Sequence, residues 1–561
     1  MRILAIVLIL LPLLSCTRLH QETETPSLSP SARGAQWALS TGHPIASQIG
    51  ADVLARGGNA VDATVAVSFA LAVVLPQAGN IGGGFFAVGS RHGQENSDPW
   101  MIDARETAPH AVTPGTFLEL PPGSALRGPY ASGTPGTVAG LAAMHEVYGS
   151  LPWDSLVEPA IHLARDGFRM NEGFVNLLGR FGDKLRADPN AAEIFFAEDP
   201  EVGRLFRQPD LARTLARIAQ DPADFYTGET ARLIVEDAVA YGSPITAGDL
   251  AAYRAEWRDP VACSYRGWDI VSAAPPSAGG AILCQTAQTL APFDLSALEP
   301  QGVQHTHYTA QAWGRAFHDR DLLGDPAFID MAVLDRLISP AYGAEIARRI
   351  QASDSAVTEP ADPRREPLET THFSIVDGDG NAVSVTTTLN GAYGNGHVVA
   401  GAGFLMNNEM DDFNTRPGEP NLYGLVQGEA NIPEPGKRML SSMSPTLLYR
   451  EGQLMAVLGT PGGSTIPTTL WHLLNRMIDH GWSLDRAMAI PRYHYQGTPD
   501  SIMVEPGMFD GEVSASLEDL GYELRERGRT YGNVYAVSWD QGRGEWVALG
   551  DPRGSGLPLA Q

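Results

Sequence analysis

The stretch from Leu368 to Gly391, LETTHFSIVDGDGNAVSVTTTLNG, constrains the fold of this chain more than any other. Two runs with strand-forming side chains flank DGDGN, a cluster suited to a tight turn, so the segment reads as a β-hairpin. A turn centred on Asp379 sets Thr370 opposite Thr388, His372 opposite Thr386, Phe373 opposite Val385, Ser374 opposite Ser384 and Ile375 opposite Val383. Directly opposed residues share a face. One face of the hairpin is therefore apolar, and the other is small and polar and carries Thr370, Thr388 and Asn390. Threonine is also a good strand former, so the pattern alone does not assign these hydroxyls a role.

The run before the hairpin, DSAVTEPADPRREPLE, holds three prolines and five acidic residues and little to bury. It predicts an exposed, protease-accessible loop or linker.

Upstream, HPIASQIGADVLARGGNAVDATVAVSFALAVVLPQAGNIGGGFFAVGS predicts two helices, Ala46 to Ala55 and the almost wholly apolar Val61 to Val74, packed on a sheet. Gly82, Gly83 and Gly84 then bring the backbone close to another segment before the strand FFAVG. They lack the lysine and the strand-to-helix placement of a phosphate loop. Trp100 to Asp103 reads as a strand end, followed by ARETAP. From Thr134 to Ile350 helical patterns dominate, with a strand near Trp268 to Ser272, and this long middle reads as scaffold. Its histidines, His307 and His318 among them, sit on helical faces without metal-ligand spacing.

With 65 acidic against 39 basic residues in 561, a formal charge of −26 argues against a nucleic-acid surface. The leader MRILAIVLILLPLLSC puts one arginine before twelve apolar residues, too short to span a bilayer and laid out as an export signal. LLSC resembles the lipobox of bacterial lipoproteins, with Cys16 as the lipidated residue, and an ordinary cleaved signal with Cys16 incidental fits it as well. The expected organisation is thus a signal over 1–15, a flexible tether over 16–35, and two segments, 36–369 and 370–561. Cys263 and Cys284 have no metal or redox spacing. A disulfide and a free buried thiol both fit them.

NNEMDDF, KRMLSSMSP and GTPGGSTIPTTL each present polar or glycine backbone groups after a strand-like run. Together with Thr370, HPIASQIGADVLARGGNAVDA, ARETAP and GTPGTVAGL, they resemble the γ-glutamyltranspeptidase (glutathione hydrolase) family from about Pro44 nearly to the C-terminus. The resemblance implies an α/β N-terminal-nucleophile hydrolase, an αββα sandwich of two sheets between helical layers. It also implies a precursor that cuts itself between Glu369 and Thr370 into large and small subunits that remain together as a heterodimer. Thr370 matches the nucleophile and Thr388 its hydroxyl partner. Asn390, Glu409 and Asp412 match the residues that hold a substrate α-ammonium, and Arg105, Ser441 and Ser442 those that hold its α-carboxylate. Gly462 and Gly463 match the oxyanion hole, and Tyr423 lies at the covering position of the lid, within TRPGEPNLYGLVQGEANIPEPGKR. Position 439 is Met, where KRPLSSMSP is the commoner form, and the turn PQAGNIGGG has Ala78, Gly79 and Asn80 where a serine- or histidine-containing form is frequent.

The chemistry is self-consistent. A threonine hydroxyl needs a neighbouring base, and a chain-starting threonine carries one on its own nitrogen. An α-amine has a pKa of about 7.7 to 8, so a substantial fraction is neutral near pH 7. The expected activity is transfer of the γ-glutamyl group of glutathione and related compounds, through an ester on Thr370, to water or to an amino-acid or peptide amine. No metal or cofactor is expected. The expected setting is the periplasm of a bacterium or a lipid anchor on its membrane. A cephalosporin or glutaryl acylase of the same fold and a non-catalytic lipid-anchored binding protein are the competing readings.

Overall fold

The computed structural model describes residues 29–93, 99–352, 368–498, 500–527 and 530–561. The signal and Cys16, and the charged run up to residue 367, lie outside the described residues.

The hairpin is present as strands Leu368–Val376 and Ala382–Gly391, and every pair expected of it is found. It forms the centre of a seven-stranded antiparallel sheet. The order across that sheet is Leu557–Ala560, Ala38–Thr41, the two hairpin strands, Gly84–Ser90, Trp100–Ala104 and Glu256–Arg258. A second seven-stranded antiparallel sheet runs Ser31–Gly34, Glu545–Gly550, Tyr535–Asp540, Gln453–Gly459, Thr446–Arg450, Trp268–Ser272 and Val261–Tyr265.

Each face of the hairpin meets a different layer. Phe373, Ile375, Val383 and Val385 pack into one apolar core with the helices Pro44–Ala55 and Ala60–Val74. The second helix is buried along its whole length, which its nearly unbroken apolar sequence requires. The polar face meets the second sheet. Ser374 Oγ donates to the Tyr535 carbonyl at 2.9 Å and Ser384 Oγ to that of Leu458 at 3.1 Å. His372 fills the seam between them, its Nδ1 2.9 Å from Thr386 Oγ1 and its Nε2 3.1 Å from Ser374 Oγ. Burial pushes the imidazole down to about 3, so it is neutral. Beneath it Gly459 leaves room for the ring, since a Cβ there would sit 2.2 Å from it. Small hydroxyl side chains thus cross-link the sheets where bulky ones would force them apart. Beyond the second sheet, helices Gly279–Leu290 and Thr465–Ile478 pack on the other core. Helix, sheet, sheet and helix follow one another, the four-layer sandwich that the resemblance implied.

Three expectations need correction. Residues 31–34 are an edge strand, not tether: the SARG backbone pairs with Glu545–Gly550, and an edge strand with exposed side chains places little demand on sequence. The helix-rich middle also supplies Glu256–Arg258 and Val261–Tyr265 to the sheets. Of the three polar motifs, only GTPGG leaves a strand. NNEMDDF contains the 3-10 turn Glu409–Asp412, and KRMLSSMSP precedes the strand Thr446–Arg450. The open question at Cys263 and Cys284 resolves as a disulfide joining an edge strand to the helix beside it.

Candidate active site

Thr370 lies on the polar face near the start of its strand, and its hydroxyl is 3.3 Å from that of Thr388. The chain runs unbroken through Leu368, Glu369 and Thr370, so the Thr370 nitrogen is here an amide. Strand pairing is irregular at this place. Leu368 pairs with Gly391 but Thr370 with Thr388, which puts a bulge between them. Opposite it Asn390 adopts a left-handed conformation, φ 72°, rarely taken by a residue other than glycine. Its N–H donates to Thr388 Oγ1 at 2.8 Å and its side-chain Nδ2 to the Asn408 carbonyl at 2.9 Å.

The glycine run supports this geometry from behind. A Cβ on Gly83 would lie 2.2 Å from the Thr388 carbonyl oxygen and one on Gly82 2.1 Å from that of Leu405. Asn80 ties the turn together. Its Nδ2 donates to the Thr388 carbonyl at 2.8 Å and to Thr387 Oγ1 at 3.0 Å, while its Oδ1 accepts from Gly83 N–H and the Thr137 hydroxyl. The asparagine of PQAGNIGGG therefore organises the strand carrying Thr388.

Around Thr370 the charged groups assemble from distant segments. Arg105 follows the strand Trp100–Ala104 and is fully buried. Its Nη1 is bonded to Glu409 and its Nη2 to Asp412, and its Nε donates to the Met439 carbonyl at 3.2 Å. Asp412 Oδ1 also accepts from Asn421 Nδ2 at 2.9 Å. Residues expected to hold opposite ends of a substrate thus pair with one another. Burial alone would lower the Arg105 pKa, yet Glu409, Asp412 and Glu106 hold it above the ordinary value. Burial pushes the Glu409 and Asp412 carboxyls up, and the Arg105 guanidinium opposes it. Glu106, behind Arg105, is pushed up to about 7 by its burial.

Among the described residues, Asn390 Oδ1, Glu409 Oε2 and both carboxylate oxygens of Glu106 are buried here without a hydrogen-bond partner. Unpaired buried acceptors are costly, about 1–3 kcal/mol each, and mark a place where a donor belongs. Ser441 and Ser442 line the same cavity as Thr370, Glu409 and Asp412. Ser441 is fixed by backbone hydrogen bonds to Pro276 and Ala278.

Gly462 and Gly463 join the strand Gln453–Gly459 to the helix Thr465–Ile478. Both have positive φ, 143° and 57°. Among the described residues neither N–H donates to a protein acceptor. Tyr423 closes this side: a Cβ on Gly463 would fall 2.3 Å from its ring, and its hydroxyl donates to the Asn390 carbonyl at 2.9 Å. Thr370, Thr388, Glu409, Asp412, Tyr423, Ser441, Ser442 and Gly463 line one cavity, with Arg105 bonded to Glu409 and Asp412, Asn390 bonded to Thr388, and Gly462 next to Gly463. The sequence reading missed Arg320, which lines the cavity from the end of helix Val303–Asp319. It lay in a helical pattern with nothing to set its arginine apart.

The chain is similar to known proteins over most of its length. The family profile described as gamma-glutamyltranspeptidase matches residues 46–560. The chain is 41% identical over 523 residues to the glutathione hydrolase proenzyme of Pseudomonas aeruginosa, covering 91% of this chain and 92% of that one. Against the glutathione hydrolase proenzyme of Escherichia coli it is 39% identical over 535 residues, covering 93% and 91%. Among solved structures, a cephalosporin acylase from Bacillus halodurans superposes with a TM-score of 0.85 at 26% identity, over 96% of this chain and 98% of that one.

Proposed function

The chain belongs to the gamma-glutamyltranspeptidase family, and from this premise we infer that it is a self-processing γ-glutamyltransferase and glutathione hydrolase with Thr370 as its nucleophile. In maturation the Thr370 hydroxyl attacks the Glu369 carbonyl carbon, the peptide bond passes to an ester, and water opens the ester. The products are a Glu369 carboxylate and a free Thr370 amine. The large segment, which includes the strand Ser31–Gly34, then ends at Glu369, and the small one is 370–561. The bulge between Leu368 and Thr370 supports this place for the cut, because it frees the bond from regular pairing. Both hairpin strands lie between strands of the large segment, Ala38–Thr41 and Gly84–Ser90, so the pieces stay paired after cleavage.

In the mature enzyme the α-amine takes the proton of the Thr370 hydroxyl as its oxygen attacks the γ-carbonyl of the donor. Thr388 accompanies the hydroxyl, and the oxyanion develops toward the unengaged N–H groups of Gly462 and Gly463 at a helix N-terminus. Collapse expels the amine, which leaves with the proton held by the α-ammonium. Water or an acceptor amine then opens the γ-glutamyl ester by the same steps. Tyr423 covers the ester.

The observation that carries the donor assignment is the pair of unpartnered acceptors, Asn390 Oδ1 and Glu409 Oε2, beside Asp412. They suit an ammonium group, while Arg105, Ser441 and Ser442 suit a carboxylate. A zwitterionic glutamyl donor replaces the Arg105 pairing to Glu409 and Asp412 with like-for-like partners. The likeness to a cephalosporin acylase favours a second reading, a donor without the α-amine. Turnover of γ-glutamyl-p-nitroanilide against its glutaryl counterpart separates them: we expect strong preference for the γ-glutamyl compound, and the reverse preference sinks this assignment.

The leader fits export, with Cys16 as a lipid anchor in a bacterial periplasm. Among the described residues no helix is long and apolar enough to cross a membrane. Metabolic labelling with a radioactive fatty acid tests the anchor, and we expect label lost on Cys16→Ala.

A further inference from the structure

The donor pocket contains a second buried guanidinium that the mechanism above leaves unused. Arg320 follows the helix Val303–Asp319 and is 2% exposed. It lines the cavity together with Thr370, Ser441 and Ser442. Its Nη1 donates to Gln427 Oε1 at 2.5 Å and its Nη2 to the Leu440 carbonyl at 3.3 Å. Its Nε has no partner. Among the described residues no carboxylate is bonded to it, in contrast to Arg105, whose three guanidinium nitrogens are all engaged. A cation buried without a bonded anion is unfavourable unless an anion arrives.

Charge balance points the same way. Glu409, Asp412 and Glu106 act on Arg105, and Asp412 and Asp321 on Arg320, so acidic groups outnumber the two guanidiniums around this pocket. Burial lowers the Arg320 pKa to about 10, which leaves the group protonated at neutral pH. A zwitterion enters such a pocket without changing its net charge. Without Arg320 the excess of acidic groups would grow and the carboxylate end of the donor would be repelled more strongly.

We propose that Arg320 is a specificity-determining residue of the donor site, its unpartnered Nε–H receiving the donor's α-carboxylate alongside Arg105. The proposal rests on the γ-glutamyl reading of the site. It makes the preference for an α-carboxylate depend on a residue of the large segment, reaching the pocket from a helix remote in sequence from Arg105.

The test is competitive inhibition of γ-glutamyl-p-nitroanilide turnover by L-glutamate and by 4-aminobutyrate, which lacks only the α-carboxylate. In Arg320→Gln and Arg320→Met the glutamate inhibition constant rises about tenfold or more, as loss of a hydrogen bond to a charged group would give, while that of 4-aminobutyrate stays within about twofold. The two variants fill the space differently, so the ratio is read on either. Gln427→Leu removes a neutral partner of the same guanidinium and leaves the ratio unchanged. Arg320→Lys, which keeps the charge, falls between wild type and the neutral variants. A ratio equal to that of wild type in the neutral variants, whether both constants hold or both rise together, overturns the proposal. Absence of γ-glutamyl turnover in the wild-type protein would instead refute the functional reading beneath it.

Discussion

The hydroxyls of Thr370 and Thr388 lie 3.3 Å apart on directly opposed residues of two adjacent strands, with the Asn390 N–H fixed on Thr388 Oγ1. Thr388→Val removes the partner hydroxyl without changing the shape of the strand. We expect self-cleavage and γ-glutamyl turnover both to slow by at least about tenfold, measured by band intensities over time and by p-nitroaniline release. Equal rates would remove Thr388 from the chemistry.

Arg105 sits between Glu409 and Asp412 in a buried cluster. Arg105→Gln leaves two carboxylates buried without their cation, which typically costs about 3–5 kcal/mol. Urea unfolding should show that loss, and adding Glu409→Gln to the same chain should recover part of it. Recovery of donor binding is not expected, since one guanidinium of the carboxylate site is gone.

His397 bridges the two segments. Its ring nitrogens are each 2.6 Å from a carboxylate, Asp188 and Asp237, and it stacks on Tyr241. Burial opposes protonation, but the two carboxylates win and raise the imidazole to about 9. The folded pKa exceeds the unfolded value of about 6.5. The stabilisation is therefore complete below about pH 6.5 and fades as pH rises through about 9. The difference in melting temperature between wild type and His397→Gln should shrink steadily from pH 6 to pH 9.5. A constant difference would mean that the ring is not charged.

Cys263 and Cys284 close a loop with a sequence separation of 21. By loop-closure entropy this contributes about 3 kcal/mol. Cys263→Ser with Cys284→Ser should lower the unfolding midpoint while leaving turnover of the folded enzyme unchanged, because the bridge joins an edge strand to the helix packed on it.

The hairpin was legible in sequence because its signals are local: a turn, a period of two, and a difference between faces. Thr370, Thr388 and Asn390 could be placed together on that basis alone. Arg105, Glu409, Ser441 and Gly462 come from segments scattered along the chain, and only the resemblance to a family brought them together. Arg320 and Asn80 were missed as contributors for a related reason. Each resembles ordinary helix or turn sequence, and its importance lies in what it meets across the fold. The strand at Ser31–Gly34 was hidden because backbone pairing at a sheet edge needs no apolar pattern.

The most direct measurement of the central claim is N-terminal sequencing of the smaller band on a denaturing gel of purified wild-type protein, beside Thr370→Ala. We expect a fragment beginning TTHFS in the wild type, one uncut and inactive chain in the variant, and γ-glutamyl turnover only where the fragment is present. A wild-type protein that is active while uncut, or a fragment that begins at another residue, would contradict it.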